Sequence, residues 1–131
     1  MAEIFNQHQP IYIQLLDRFR SLIVSGTWEP GTKIDSVRNL ALEYGVNPNT
    51  IQRALSELER EGLAYSERTT GRFITDDQTK IKELRRTLAN SEALAFITKA
   101  KELRLSKEDT TDLVELLWEE PDAEATDSDK E

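Results

Sequence analysis

Residues 34–63 read IDSVRNLALEYGVNPNTIQRALSELEREGL, and the spacing of their apolar side chains decides the fold. Val37, Leu40 and Ala41 recur at three- and four-residue steps, as do Ile51, Ala54, Leu55 and Leu58, so each set forms one stripe along a helix. The pattern predicts a helix over about Ser36–Tyr44 and another over about Asn47–Glu61, separated by the break Tyr44-Gly45-Val46-Asn47-Pro48. Asp35 or Ser36 suits the first N-cap. Asn47 suits the second, with Pro48 at the first helical position, where a missing N–H costs nothing. Gly62 is a natural stop. Two apolar stripes facing each other across a short turn, with the second helix opening on small polar side chains, is the pattern of a helix-turn-helix that reaches DNA base edges.

Upstream, Ile11, Leu15, Leu16, Phe19, Leu22 and Ile23 predict a helix over Ile11–Ser25, started by Pro10 and stopped by Gly26. Pro30-Gly31 signals a tight turn, and Thr32–Ile34 reads as a short extended piece able to pair with later strands. Downstream, Leu63–Ser66 and Arg72–Thr75 are β-type runs around Glu67–Gly71, a hairpin whose tip is expected to carry Arg68 and Arg72. The expected fold is mainly α with a small β-hairpin wing (α+β): a winged helix-turn-helix plus a two-helix C-terminal appendage. Those last helices are expected over about Thr79–Leu103 and from Ser106, where Asp109 takes the third helical position of a capping box.

The chain therefore divides into a DNA-binding domain over 1–76, a two-helix region over 77–119 and an acidic tail over 120–131, expected to be disordered. About 40 residues of helical pair cannot build a core alone. The pair must fold back on the winged domain or pack against a second copy. Because the winged domain already has a three-helix core, the expectation is a closed, two-fold homodimer with Leu84, Leu88, Ala95, Leu113 and Leu117 at its interface.

The 131 residues carry a net charge of −8, with a pI near 4.8, whereas DNA binders usually show a basic footprint. Much of the excess sits in PDAEATDSDKE, residues 121–131, away from the predicted reading face. Binding is accordingly expected to be salt-sensitive and modest per module, which favours a dimer. With no cysteine and one histidine, His8, no metal site or cofactor is expected. No Ser/His/Asp set or glycine-rich phosphate loop suggests an enzyme. No signal peptide or membrane span is visible, so the expectation is a cytoplasmic protein.

On the second helix of the motif, Asn47, Asn49, Thr50, Gln52 and Arg53 fall on the open side. Asn and Gln bond adenine bidentately and Arg bonds guanine; the plainer alternative is a cap followed by a solvated face. Arg38 is expected at the same groove edge, or else in a surface ion pair with Glu43 or Asp35. Ser36 offers a hydroxyl and a backbone N–H to phosphate, or caps its helix, or both. Arg68, Thr69 and Arg72 are expected to bring the wing to the minor groove, the alternative being a solvated hairpin. Trp28, Tyr65, Phe73, Tyr12 and Tyr44 read as core fillers. A winged helix used only to bind protein is the competing function, supported by the acidic balance.

PIYIQLLDRFRSLIVSGTWEPGTKI (10–34), SVRNLALEYGVNPNTIQRALSELEREGL (36–63) and SERTTGRFIT (66–75) resemble the opening helix and "G…PG" turn, the two DNA-binding helices and the wing of the GntR family of bacterial transcription regulators. The short appendage resembles the small YtrA-type branch. That resemblance implies a homodimeric repressor on a two-fold operator of double-stranded DNA, often controlling transporter genes, with a small-molecule effector possible. It places DNA contacts at Arg38, Asn47, Pro48, Asn49, Thr50 and Gln52. This chain departs from the family in having Asp35 where Pro is usual and Thr69 where the wing often has Gly.

Overall fold

The structure, a computed structural model, describes residues 5–120. Five helices and one hairpin follow one another: α1 (Ile11–Val24), α2 (Val37–Tyr44), α3 (Pro48–Arg60), β1 (Ala64–Glu67), β2 (Gly71–Ile74), α4 (Gln78–Glu102) and α5 (Lys107–Trp118). The helix-turn-helix and its wing are as expected, in an α+β fold.

The helix ends form where capping chemistry puts them. Ser36 Oγ accepts the Asn39 N–H at 3.0 Å and starts α2. Gly45, with φ near 67°, ends α2 in the left-handed region that a side chain disfavours. Two residues later Asn47 Oδ1 accepts the Asn49 N–H at 2.7 Å, and Pro48 opens α3. The turn between the helices is therefore only Gly45, Val46 and Asn47.

The core of the first compact unit is sealed by α1, α2 and α3. Leu15, Phe19 and Ile23 of α1 meet Leu40, Ala41 and Tyr44 of α2 and Ile51, Ala54, Leu55 and Leu58 of α3, all buried. Phe19 stacks on Trp28 at 4.9 Å between ring centroids and meets Tyr44 edge-on at 5.8 Å. Each fully buried aliphatic side chain contributes about 1.5–3 kcal/mol relative to exposure. Arg20 adds a polar clasp: it pairs with Asp17 in its own helix at 2.8 Å and with Glu61, the C-cap of α3. The Glu61 carboxylate holds the Arg20 guanidinium above its usual range.

The hairpin is antiparallel, with Ala64 opposite Ile74 and Glu67 opposite Gly71, so Arg68, Thr69 and Thr70 form the turn. The extended piece before α2 does pair: Ile34 N–H donates to the Arg72 carbonyl at 2.8 Å, and Ile74 N–H to the Thr32 carbonyl at 2.9 Å. Thus β2 is flanked on both sides, and the wing is joined to the segment that leads into α2.

The first unit does not end at residue 76. It runs to Thr87, because Ile81 is buried in its core and Leu84 packs against that core. Leu84 is therefore a contact within the winged unit, not a free position on the appendage. The second unit begins at Leu88 and holds the rest of α4, a left-handed turn at Arg104 and α5 capped by Ser106. Ala100 is its one buried hydrophobic residue among the described ones, and α5 buries none. The acidic tail over 121–131 lies outside the described residues.

Candidate nucleic-acid interface

α3 has two opposite faces. Ile51, Ala54, Leu55 and Leu58 close onto the core, while Asn49, Gln52, Arg53 and Ser56 stand exposed along the other side, with Thr50 half-buried between them. Gln52 makes one long bond, 3.4 Å, to Ser56 Oγ within the same face. Asn49 and Gln52 thus present amide groups with both donor and acceptor capacity outward, one turn apart, as bidentate recognition of a base requires. Asn47 is engaged by its cap bond, and Pro48 has no polar side chain to offer.

Arg38 is exposed on α2 and forms neither of the ion pairs weighed for it among the described residues. Asp35 instead points its Oδ1 at the Ser36 N–H (2.8 Å) and at Asn39 Nδ2 (2.9 Å). This changes the reading of Ser36. Its backbone N–H, expected to be free for phosphate, is taken by Asp35, and its hydroxyl oxygen caps α2. Only the hydroxyl proton is left to donate. The unusual Asp35 therefore acts as a local brace while placing a negative charge at the helix start.

The wing differs more from expectation. Arg68 and Thr69 are exposed in the turn. Arg72 is not at the tip: it lies within β2, opposite Ser66, half-buried, with Nε 3.4 Å from Glu59 Oε1 of α3. The alignment makes this an ion pair without hydrogen-bond geometry, since that Nε has no hydrogen-bond acceptor. Glu59 also accepts the Ser66 hydroxyl. One carboxylate of α3 thereby ties down both strands, and Arg72 holds the wing to α3 instead of extending from it. Between the wing and the start of α2 lies an open hollow of about 900 Å³ whose walls carry Lys33, Ser36 and Arg68 together with Asp35 and Glu67.

Three of the aromatic residues read as core fillers, Tyr65, Phe73 and Tyr12, lie outside the core. Tyr65 is exposed, stacked on Phe73 at 5.7 Å on the outer face of the hairpin. Tyr12 is half-buried at the start of α1, and the Arg53 guanidinium lies over its ring, 3.8 Å from the centroid. Tyr12 and Lys33 are the residues at this face that sequence patterning passes over. Neither has a local signal, because each is brought there by a contact between distant segments.

The second unit is chemically different. Leu94, Leu103, Leu116, Leu117 and Trp118 are all more than half exposed, Trp118 at 78%. Ala93, Phe96, Ile97, Ala100, Leu105 and Val114 line a groove of about 580 Å³ between α4 and α5. Of the expected interface residues in this unit, Ala95 and Leu117 are exposed and Leu88 and Leu113 are half-buried.

Comparison with known proteins agrees with this arrangement. Residues 11–74 match the model of "Bacterial regulatory proteins, gntR family". The HTH-type transcriptional regulator YhcF of Bacillus subtilis is 38% identical over 109 residues, spanning 83% of this chain and 90% of that protein. This chain belongs to the GntR family. The HTH-type transcriptional repressor YtrA of Bacillus subtilis is 36% identical over 92 residues, 70% of this chain and 71% of its own length, which puts the short appendage in the YtrA-like branch. Among solved structures, a GntR family transcriptional regulator from Listeria monocytogenes superposes with a TM-score of 0.78 at 39% identity, covering 85% of this chain and 97% of its own. The AraR DNA-binding domain in complex with operator ORX1 matches with a TM-score of 0.53 at 28% identity, over 57% of this chain and 95% of that one. The protein is thus a DNA-binding transcription regulator of a family that consists of regulators, not enzymes. No helix among the described residues is long and apolar enough to cross a membrane.

Proposed function

We propose that this GntR regulator is a homodimeric repressor that reads a two-fold symmetric operator with α3. The observation that carries the reading is the division of α3 itself: a fully buried apolar face, and opposite it Asn49, Gln52 and Arg53 exposed, with no carboxylate partner among the described residues. In the dimer, two α3 helices enter successive major grooves about one turn, ~34 Å, apart. Asn49, Thr50 and Gln52 read base edges there. Arg38, Arg53, the Ser36 hydroxyl and the Arg68–Thr69 turn hold the backbone and set register. Residues 1–87 form the DNA-binding module, and the helices from Leu88 onward form the dimerisation module. The bare apolar side chains of α4 and α5 support that assignment, since a patch of this kind on a small unit calls for a partner surface. Repression follows from occupying the promoter and excluding polymerase.

Selection of bound duplexes from a random-sequence pool tests this reading. The expected product is an inverted repeat whose half-sites lie about one helical turn apart, bound with steep salt dependence. A single asymmetric site, or no enrichment at low salt, would overturn it.

A further inference from the structure

The arginines near α3 are compensated in two different ways. Arg20, Arg60 and Arg72 each face a glutamate: Glu61, Glu57 and Glu59. Arg53 faces none among the described residues. Its partner is the neutral ring of Tyr12, 3.8 Å from the guanidinium carbon. A carboxylate would cancel the charge and occupy the donors. An aromatic face does neither: it attracts the cation through the ring quadrupole, covers one face of the guanidinium plane, and leaves the N–H donors at its edge open. In a chain of net charge −8, this is a way of keeping one positive charge fixed and available. The location fits that use. Ile11, Tyr12, Asn49, Thr50 and Arg53 together border one shallow, open hollow, so the first turn of α1 and the first turns of α3 make a continuous surface. α1 and α3 share one buried core that includes Leu15, Ile51 and Leu55, and the ring and guanidinium meet at the edge of that packing.

We propose that Tyr12 is a positioning residue for DNA binding: it holds the Arg53 guanidinium edge toward a backbone phosphate beside the bases read by Asn49 and Thr50, extending the binding face from the helix-turn-helix onto α1. The proposal rests on α3 being the reading helix. It assigns Tyr12 no base contact of its own. Arg53 supplies the charge, and Tyr12 limits where that charge stands.

The test is a double-mutant cycle on the full chain, using a fluorescein-labelled duplex enriched from a random pool by the wild-type protein, with affinity measured as a function of salt. Arg53→Ala is expected to flatten the slope of log K against log salt by ~0.9, the signature of one lost phosphate. Tyr12→Leu is expected to weaken binding about two- to five-fold, the size of a partly exposed cation–π contact. Tyr12→Phe, which keeps the ring, stays within about two-fold of wild type. The deciding value is Tyr12→Leu in the Arg53→Ala background, where it is expected to cost nothing further. A merely structural tyrosine would weaken binding equally in both backgrounds, and that outcome overturns the proposal, as does an Arg53→Ala variant with an unchanged salt slope. Arg38→Ala run alongside separates this from failure of the reading itself: if it too leaves binding unchanged, α3 and its surroundings are not the DNA face.

Discussion

The winged unit and the helical pair that follows it treat their apolar side chains in opposite ways. In the first, Phe19, Leu15, Ile51, Leu55 and Leu58 have essentially no contact with solvent. What remains exposed on α3 is polar and able to form hydrogen bonds. In the second, Leu94, Leu116 and Trp118 lie open on their helices, as does Leu103 in the turn between them, although α5 is capped by Ser106. The difference teaches that a regular helix pattern does not by itself say where its apolar face is buried. Capping and spacing mark the ends of α5, but a helix of 12 residues is marginal alone, and its apolar face needs a surface that residues 88–120 do not supply. One region buries its apolar side chains within itself and leaves a polar face on α3; the other leaves apolar side chains open to solvent.

The sharpest way to break this contrast is to put charge on the open face. Leu113→Glu combined with Leu117→Glu is expected to yield a monomer in sedimentation and to lower affinity for a two-half-site duplex about 10²–10⁴-fold, the gain that linking two sites normally provides. Melting of the winged unit should be unchanged. A variant that stays dimeric would remove α5 from the interface. On the sealed side, Leu58→Ala leaves a cavity in a fully buried position and should cost about 2–5 kcal/mol in denaturant unfolding. A loss below 1 kcal/mol would mean that the packing between α1 and α3 is looser than described.

Smaller effects sharpen the contrast within the winged unit itself. Arg38→Ala should weaken binding by about 1–3 kcal/mol, relaxing preference at one base pair if it bonds a base and reducing the salt slope by about one if it bonds phosphate. Arg72→Ala should behave differently: its cost falls on the wing's attachment to Glu59, seen as faster amide exchange in β1 and β2, with the salt slope retained. Equal salt-slope changes for Arg38 and Arg72 would mean that both reach the backbone and that the Glu59 pair opens on binding.

Most of the helix-turn-helix was legible in the chain because its signals are local. Apolar steps of three and four placed α1, α2 and α3, and Pro10, Gly45, Pro48 and Gly62 marked their ends to within a residue or two. What escaped was set by contacts between distant segments. Arg72 looks like a tip residue until Glu59 of α3 is seen beside it. Tyr12 looks like core until Arg53 lies over it. The boundary after the wing was hidden for a similar reason. Ile81 and Leu84 belong to the same run of apolar positions as Leu88 and Ala95, and periodicity says that a face is covered without saying by what. Ile81 and Leu84 are covered by the winged core. Asp35 was half legible: either it or Ser36 could be expected to cap α2, and Ser36 does so, while Asp35 takes the Ser36 N–H.

The most direct test of the central claim is base preference. Duplex selection should be run with wild-type protein, Asn49→Ala and Gln52→Ala, each checked for unchanged unfolding. An inverted repeat is expected for all three, with each variant losing discrimination, by about 1–3 kcal/mol, at its own base pair in both half-sites. Identical sequence preference in all three proteins would contradict the claim and show that α3 does not read the bases.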